Sequence, residues 1–367
     1  MKGRAQSESN QNQIRINSGS TWNQLGFQSV NKANIKAGRK MIRQITDNIY
    51  CIKVELKGNP LRDLNSYFIR GTEKDLLIDT GFGTDDCRSV LRNALYELHS
   101  DPLKRNVYVT HFHGDHIGLA RELTGYGCST YLPEIDRQYL LSFQRKDFNS
   151  LRAARYLENG FPEETLLESF EKNRTAISKK PYADIRYTGL ADQEVIDLGN
   201  LKLKVLSVPG HTIGNSMLYD EADGILFTGD HVLFDISPNI TDWVDVDDPL
   251  GEYIKSLTKY KDIPVKLALP GHRETGDYRK RVGELLQHHK TRLDEALRIV
   301  SAEPGINAYD VTAGMQWRIR AKSWEDFPAA QKYFAFGEGL AHLEHLRFSG
   351  LIYRRMTGSV YGYYPVR

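Results

Sequence analysis

Four side chains that can bind a metal ion stand within one short stretch of the chain, at His111, His113, Asp115 and His116. The whole chain has only eleven histidines, so three of them beside an aspartate are not expected from composition alone. Imidazole and carboxylate groups together suit divalent zinc, manganese or iron. The helical zinc-protease motif is excluded, because it needs two histidines four positions apart on one helix with a glutamate between them. The stretch therefore predicts a metal site of another kind.

The elements around this stretch predict how it is held. The β-branched segment 107–109 precedes it and a helical pattern follows it, so a strand leads through a loop into a helix. His111 and His113 would point the same way on an extended backbone, because side chains alternate with a period of two. After the turn, the Asp-His pair would approach from a second direction. The pattern predicts that the two histidines bind one ion and leaves the pair free to bind another.

The spacing His-x-His-x-Asp-His at 111–116 resembles the signature of the metallo-β-lactamase superfamily of hydrolases. Segments that resemble the later motifs of that family follow in the required order, at 208–212, 227–230 and 269–272. The segment 76–81 resembles its opening strand and turn. Together these motifs lie within roughly residues 41 to 283, which is most of the chain. The resemblance indicates the superfamily and leaves the substrate undetermined.

The resemblance implies a site with two divalent metal ions. His111, His113 and His211 would hold the first ion; Asp115, His116 and His272 would hold the second; Asp230 would bridge them. Seven protein ligands for two ions leave coordination positions open, as in catalytic rather than structural sites. Asp79 is implied as a carboxylate that orients a ligand imidazole from behind, and Asp115 as a group that also orients the nucleophile. Zinc is the expected metal, although iron and manganese suit the same ligands.

The expected activity is hydrolysis of a small ester, thioester or lactone. Two divalent ions lower the pKa of a shared water to about 7, so a metal-bound hydroxide would be available as nucleophile at neutral pH. Asp230 stands where many true β-lactamases carry cysteine. The site therefore resembles the glyoxalase II and lactonase branches more than the antibiotic-degrading enzymes.

Two other activities stay open at this point. A winged-helix tail also occurs in a metallo-β-lactamase-like endoribonuclease, which makes a phosphodiesterase or endoribonuclease one alternative. No long β-CASP insertion is recognisable, which weakens it. An iron-dependent sulfur (persulfide) dioxygenase of the same superfamily is the other. A binding protein without catalysis would not need all seven ligands.

The remaining patterns predict an α+β fold in three parts. Residues 1–38 are polar and resemble a flexible leader. Residues 39–283 alternate strands and helices in an order that suggests an αββα sandwich, which the resemblance also implies. A helical insertion at about 133–190 is expected to form a lid over the metal cleft, with a surface helix pair as the alternative. Three helices and a hairpin at 284–367 resemble a winged helix.

Composition limits the partners. The 49 basic residues nearly balance the 47 acidic ones, so no global field favours nucleic acid or an anionic membrane. The segment 285–367 carries eleven basic and eight acidic residues. Docking on the catalytic domain or pairing of subunits in a homodimer is therefore favoured for it over binding to nucleic acid. The absence of a long apolar run and of a signal-peptide core predicts a soluble cytoplasmic protein that acts on a small-molecule substrate.

Several other polar residues are expected to have no part in the chemistry. Cys51, Cys87 and Cys128 show no paired spacing and are expected to be buried thiols in a reducing compartment. His231, His288 and His289 match no motif and are interpreted as surface or packing residues. The acidic run 242–248 is interpreted as a solvated loop rather than a third metal site.

Overall fold

Two β-sheets carry most of the strands. The structure is a computed structural model that describes residues 41–143, 146–177, 186–317 and 321–366, without the side chains of 172–177. The strands of the first sheet are β1 Ile42–Gln44, β2 Ile49–Glu55, β3 Asp63–Ile69, β4 Asp75–Ile78, β5 Arg105–Tyr108, β6 Thr130–Pro133 and β7 Thr188–Leu190. They lie side by side in chain order, antiparallel from β1 to β4 and parallel from β4 to β7. The sequence patterns did not predict β7.

The second sheet comes from the later part of the chain. Its strands are β8 Val195–Asp197, β9 Lys202–Ser207, β10 Ser216–Asp220, β11 Ile225–Gly229 and β12 Leu267–Pro270. They are arranged in the order β12-β11-β10-β9-β8, and only β11 and β12 are parallel. An apolar layer between the two sheets contains Tyr67, Ile78 and Tyr108 from the first and Leu218 and Phe227 from the second. The two sheets are therefore packed face to face.

Ten helices and a hairpin complete the described residues. The helices are α1 Asp85–Glu97, α2 Gly114–Ile117, α3 Ala120–Leu123, α4 Glu134–Ser142, α5 Phe148–Glu158, α6 Glu163–Ile177, α7 Pro249–Tyr260, α8 Tyr278–Ala302, α9 Ala308–Gly314 and α10 Ala329–Phe348. The hairpin is formed by β13 Ile352–Thr357 and β14 Val360–Pro365. No helix in the described part of the chain combines the length and apolarity needed to cross a membrane.

Helices cover the outer face of each sheet. Helix α1 begins after Thr84, whose Oγ1 accepts a hydrogen bond from Cys87 N, and it buries Leu91 and Leu95 against the first sheet. Helices α7 and α8 bury Leu257 and Val282 against the second sheet. The order helix, sheet, sheet, helix confirms the predicted α+β sandwich.

The inserted helices pack with the C-terminal helices. A further apolar cluster joins Tyr156 of α5 and Leu166 of α6 to Phe336 of α10 and to the hairpin residue Tyr363. Residues 41–367 form one compact unit, and the boundary predicted at 284 falls within α8. The predicted leader 1–38 lies outside the described residues. The division into a catalytic domain and a winged-helix-like domain stays a prediction.

Candidate metal centre

The first motif forms the loop between β5 and α2. His111 is fully buried, and its Nε2 lies 3.0 Å from Nδ1 of His113, so the two imidazoles converge as the alternation of side chains predicts. The backbone turns into α2 at Gly114, which places Asp115 and His116 on the first turn of a short helix. The loop therefore presents its four polar side chains from two directions, as predicted.

His211 reaches the same place from the end of β9. Its ring centre lies 4.9 Å from that of His111 and 4.6 Å from that of His113. Gly210 has a φ of 137°, and a Cβ there would lie 2.8 Å from the Cα of Tyr253. Only glycine allows this close approach of the turn to α7. The sharp turn thus aims His211 at the first two histidines.

Asp230 and His272 follow two neighbouring parallel strands. Because β11 and β12 are parallel, the residues that follow them meet at one edge of the second sheet. His272 Nε2 lies 3.5 Å from Asp230 Oδ2 and 3.5 Å from Asp115 Oδ2. His116 Nε2 lies 3.3 Å from His272 Nε2. Asp115, His116 and His272 therefore form a second group.

Asp230 lies between the two groups of ligands. Its Oδ2 is 3.6 Å from His211 Nε2, and its Oδ1 is 3.7 Å from His116 Nε2. A Cβ on Gly271 would lie 2.6 Å from Asp230 Oδ1, so the glycine is needed to admit the carboxylate. In the described part of the chain, ligand atoms close enough to share an ion occur as three sets: His111, His113, His211; His111, His116, Asp230; and Asp115, His116, His272. All seven residues predicted as ligands are thus brought together.

The outer nitrogens of four histidines are bound by neighbouring groups. Nδ1 of His116 contacts Asp79 Oδ2 at 2.8 Å, Nδ1 of His211 contacts Asn239 O at 2.9 Å, Nδ1 of His272 contacts Asp63 O at 2.7 Å, and Nδ1 of His111 contacts Thr110 Oγ1 at 3.1 Å. A carbonyl or carboxylate oxygen accepts only, so the Nδ1 atoms that face them carry the proton. In a neutral imidazole the Nε2 lone pair is then free and faces the centre.

The arrangement fits bound cations on a second ground. His211 Nε2 and Asp230 Oδ1 are buried and have no hydrogen-bond partner. A buried acceptor without a partner costs about 1–3 kcal/mol. A cation between these atoms would remove that cost, and imidazole with carboxylate is a donor set that zinc, iron and manganese accept. The residues present therefore fit the implied metals.

The two groups differ in protonation. Burial and the neighbouring imidazoles lower the pKa of His111 well below its ordinary value and that of His113 to about 3. Burial also lowers the pKa of His211. The first group thus consists of neutral imidazoles, the form that binds a metal.

Carboxylates reverse this effect in the second group. Burial alone would lower the pKa of His116, but Asp79, Asp230 and Asp115 outweigh it and raise that pKa well above its ordinary value. The pKa of His272 is raised against burial for the same reason. Burial would raise the pKa of Asp115, whereas the neighbouring histidines lower it to about 2. Protons compete with metal at this group more than at the first.

Aromatic and charged residues of the insertion lie next to the centre. The Trp243 ring stacks on His113 at 6.1 Å between ring centres, and the Arg152 guanidinium of α5 lies 5.1 Å from the Trp243 ring centre. The carboxylate of Asp136, in α4, accepts hydrogen bonds from both loops of the first group. Sequence reasoning assigned no residue of the insertion, because neither position belongs to a recognisable spacing.

The structure refines the expectations for the other polar residues. Cys51 and Cys87 are buried and free, whereas Cys128 is only half-buried. His231 and His289 are fully buried. The acidic run is not a solvated loop throughout: Asp242 is buried in an ion pair with Arg155, and Asp248 caps α7 by accepting from Gly251 N. The run belongs to none of the three ligand sets found among the described residues.

Comparison with known families identifies one match. The profile of the metallo-beta-lactamase superfamily matches residues 60–272, which is more than half of the chain. That region contains all seven predicted ligands.

Named relatives are more distant. The chain is 23% identical over 266 residues to the beta-lactamase-like protein 2 homolog of Caenorhabditis elegans, covering 71% of this chain and 74% of the relative. It is 27% identical over 227 residues to the human acyl-coenzyme A thioesterase MBLAC2, covering 58% and 73%. A lactamase-like protein nscB of Neosartorya fischeri is 24% identical over 257 residues, covering 68% of this chain but only 61% of the fungal protein.

Solved structures extend the likeness beyond the matched region. A metallo-beta-lactamase family protein from Thermus thermophilus has a TM-score of 0.72 and 28% identity, and covers 88% of this chain and 100% of its own. A beta-lactamase domain protein from Burkholderia ambifaria has the same TM-score of 0.72 at 24% identity, covering 89% and 93%, which shows the common fold. The shared fold thus includes segments outside residues 60–272.

Proposed function

The chain belongs to the metallo-beta-lactamase superfamily, and on that premise we propose that it is a metal-dependent hydrolase of a small thioester, ester or lactone. The observation that carries the proposal is the pair of three-ligand sets on either side of Asp230, since two adjacent ions suit hydrolysis. The thioester is placed first because several relatives are named as acyl-coenzyme A thioesterases. Fold alone would not choose a substrate.

The roles of the ligands follow from their placement. His111, His113 and His211 would hold the first ion, Asp115, His116 and His272 the second, and Asp230 both. When bound, the two ions would activate a water molecule at neutral pH and polarise the carbonyl of the substrate. We assign zinc to both positions.

The chain's own residues supply orientation and charge. The Asp115 carboxylate is ionised at neutral pH and its side chain is 11% exposed, more than that of Asp230 at 6%. It can therefore accept a hydrogen bond from the attacking water and fix its direction. Asp79 holds His116 by its Nδ1, which keeps the other nitrogen directed at the centre.

The finer assignments are part of the same proposal. The aspartate at 230 supports a glyoxalase II or lactonase-like branch, and the helices and hairpin after residue 284 support a winged-helix-like tail that docks on the catalytic part. A cytoplasmic location completes it.

The deciding experiment combines metal analysis with a substrate panel. Purified full-length protein would be analysed for zinc, iron and manganese, and initial rates would be measured on an acyl-coenzyme A thioester, a lactone and bis(p-nitrophenyl) phosphate. Protein stripped with a chelator and then reloaded is the control. About two ions per chain with thioester or lactone turnover would support the proposal. Turnover of the phosphodiester alone, or one iron per chain with oxygen uptake on a persulfide, would replace it with one of the two alternatives.

A further inference from the structure

One buried carboxylate connects the two loops that supply the first ligand set. Asp136 lies in the first turn of α4 and is fully buried. Its Oδ2 accepts hydrogen bonds from Phe112 N at 3.1 Å and from Thr212 Oγ1 at 2.9 Å. Its Oδ1 accepts from Gly214 N at 2.7 Å. All three donors belong to loops rather than to α4 itself.

The donors are close neighbours of ligand residues. Phe112 stands between His111 and His113, and Thr212 directly follows His211. The loop of His111 and His113 comes from the first sheet, while the loop of His211 comes from the second. A single carboxylate thus holds the backbone of one loop against the other at the place where the three imidazoles meet.

The contact is close enough to exclude a side chain on the second loop. A Cβ on Gly214 would lie 2.8 Å from Asp136 Oδ1 and 3.0 Å from the Cβ of Ile135, and would also overlap Asp136 N. Because real Cβ atoms do not approach so closely, any other residue at 214 would push α4 away from the loop. The fit of Gly214 and Asp136 is therefore a defined contact and not a chance proximity.

The carboxylate is expensive to bury for stability alone. Burial raises the pKa of Asp136 to about 7 although three donors point at it. Among the residues that the structure describes, no cation contributes to its pKa, so no opposite charge offsets its desolvation. An apolar residue of similar size would be cheaper to bury at a site without donors. The use of the acid is accounted for by the three loop donors that it accepts.

We propose that Asp136 is a positioning residue for the first metal ion, which sets the separation between the His111–His113 loop and His211. The proposal rests on the ligand assignment of the proposed function and is independent of the substrate. It predicts that a change at Asp136 weakens the three-histidine set and leaves the set of Asp115, His116 and His272 largely intact. Loss of an outer partner of a metal ligand typically weakens binding by about 10- to 100-fold.

The test compares metal binding in Asp136→Asn with wild-type protein and with Asp220→Asn. Asp220 is a suitable control, because it is also buried and accepts from two backbone nitrogens, Ala222 N and Asp223 N, in a turn that holds no ligand. Metal-free protein would be titrated with cobalt(II), followed by visible absorption, and with zinc in competition with a chromogenic chelator. Thermal unfolding of the metal-free proteins would measure stability separately.

We expect Asp136→Asn to lose about 10-fold or more in affinity for one ion while the second ion binds as in wild type. Its unfolding temperature without metal should fall by no more than that of Asp220→Asn. Thr212→Val, which removes one of the three donors and leaves the carboxylate, should show the same selective loss to a smaller degree and serves if Asp136→Asn does not fold.

Two results would overturn the proposal. One is unchanged affinity for both ions in Asp136→Asn and in Thr212→Val. The other is an equal loss at both ions that follows the loss of stability, which would assign the carboxylate to folding alone. A wild-type protein that binds two ions but hydrolyses none of the panel would reject the proposed function and leave this result readable, since no substrate enters the measurement.

Discussion

Asp79 Oδ2 lies 2.8 Å from His116 Nδ1, and the same carboxylate accepts from Thr110 N and Thr110 Oγ1 through its two oxygens. Asp79 has a φ of 58°, a left-handed conformation that costs a non-glycine residue about 1–2 kcal/mol. Ser66 Oγ donates to Asp79 O at 2.6 Å and helps to hold this conformation. The strained backbone turns the carboxylate toward the first ligand loop from behind, where it can fix a ligand imidazole and the residue before another.

Replacing Asp79 by asparagine should weaken metal binding at His116. The amide can present its NH2 group to the imidazole, which favours the tautomer with the proton on the wrong nitrogen. We expect a loss of about 10- to 100-fold in affinity for one ion, measured by competition with a chromogenic chelator. Asp75→Asn in the same strand is the control, because Asp75 is also buried but accepts from Gly71 N, away from the centre. Equal affinities in the two variants would contradict this role for Asp79.

Replacing Asp230 by alanine should remove at least one ion and abolish turnover. Asp230 is the residue whose oxygens approach histidines of both groups, so its loss takes a ligand from each. Metal per chain by elemental analysis and the initial rate on the best substrate are the two measurements. Unchanged metal content and rate would refute the bridging assignment.

The two ions should be lost at different pH values on acidification. Metal binds only the unprotonated imidazole, and His116 and His272 have raised pKa values, whereas the pKa of His113 is about 3 and that of His211 is lowered. A raised pKa means that the proton competes at higher pH. We therefore expect metal content, measured by equilibrium dialysis between pH 8 and pH 5, to fall first to one ion per chain.

Mutation of the second group identifies which ion is lost. If His272→Ala removes the acid-sensitive ion and retains the acid-resistant one, the order is confirmed. Simultaneous loss of both ions over one narrow pH range in wild-type protein would argue that the groups titrate as a single unit.

A methyl group at Gly118 should destabilise the protein. A Cβ there would lie 2.6 Å from Gly81 O and would also overlap Gly83 N, so the helix that carries Asp115 and His116 would be pushed from the loop after Asp79. We expect Gly118→Ala to lower the free energy of unfolding by about 1–3 kcal/mol, measured by urea denaturation.

Gly283→Ala is the matched control for that substitution. Gly283 lies inside α8 and a Cβ there would have no atom within 4 Å, so alanine should stabilise the helix by about 0.5–1 kcal/mol. A Gly118→Ala protein as stable as this control would show that the loop and the helix can separate without cost.

The candidate ligands and most elements of the sandwich could be predicted from the sequence because their signals are local. The spacing of His111 and His113 encodes their convergence through the geometry of an extended chain, whatever surrounds it. The apolar period of α1 and the β-branched strands likewise depend on neighbours within a few positions. The later ligands were found only because their motifs resemble a known family in order.

The supporting contacts were decided by tertiary structure. Asp136 accepts from Phe112, 24 positions away, and from Gly214, 78 positions away. Asp242 pairs with Arg155, which is 87 positions away, so a run that appears solvated by composition is buried where it meets α5. No periodicity links such positions.

The sequence by itself therefore determined which side chains could hold metal, since ligand chemistry and local spacing are properties of the chain. Only the tertiary structure decided what holds those ligands in place. The buried partners Asp79, Asn239 O, Asp63 O and Asp136 are brought to the imidazoles and their loops by the packing of two sheets and an insertion. A hydrogen bond between distant segments exists only once the backbone of each has been placed.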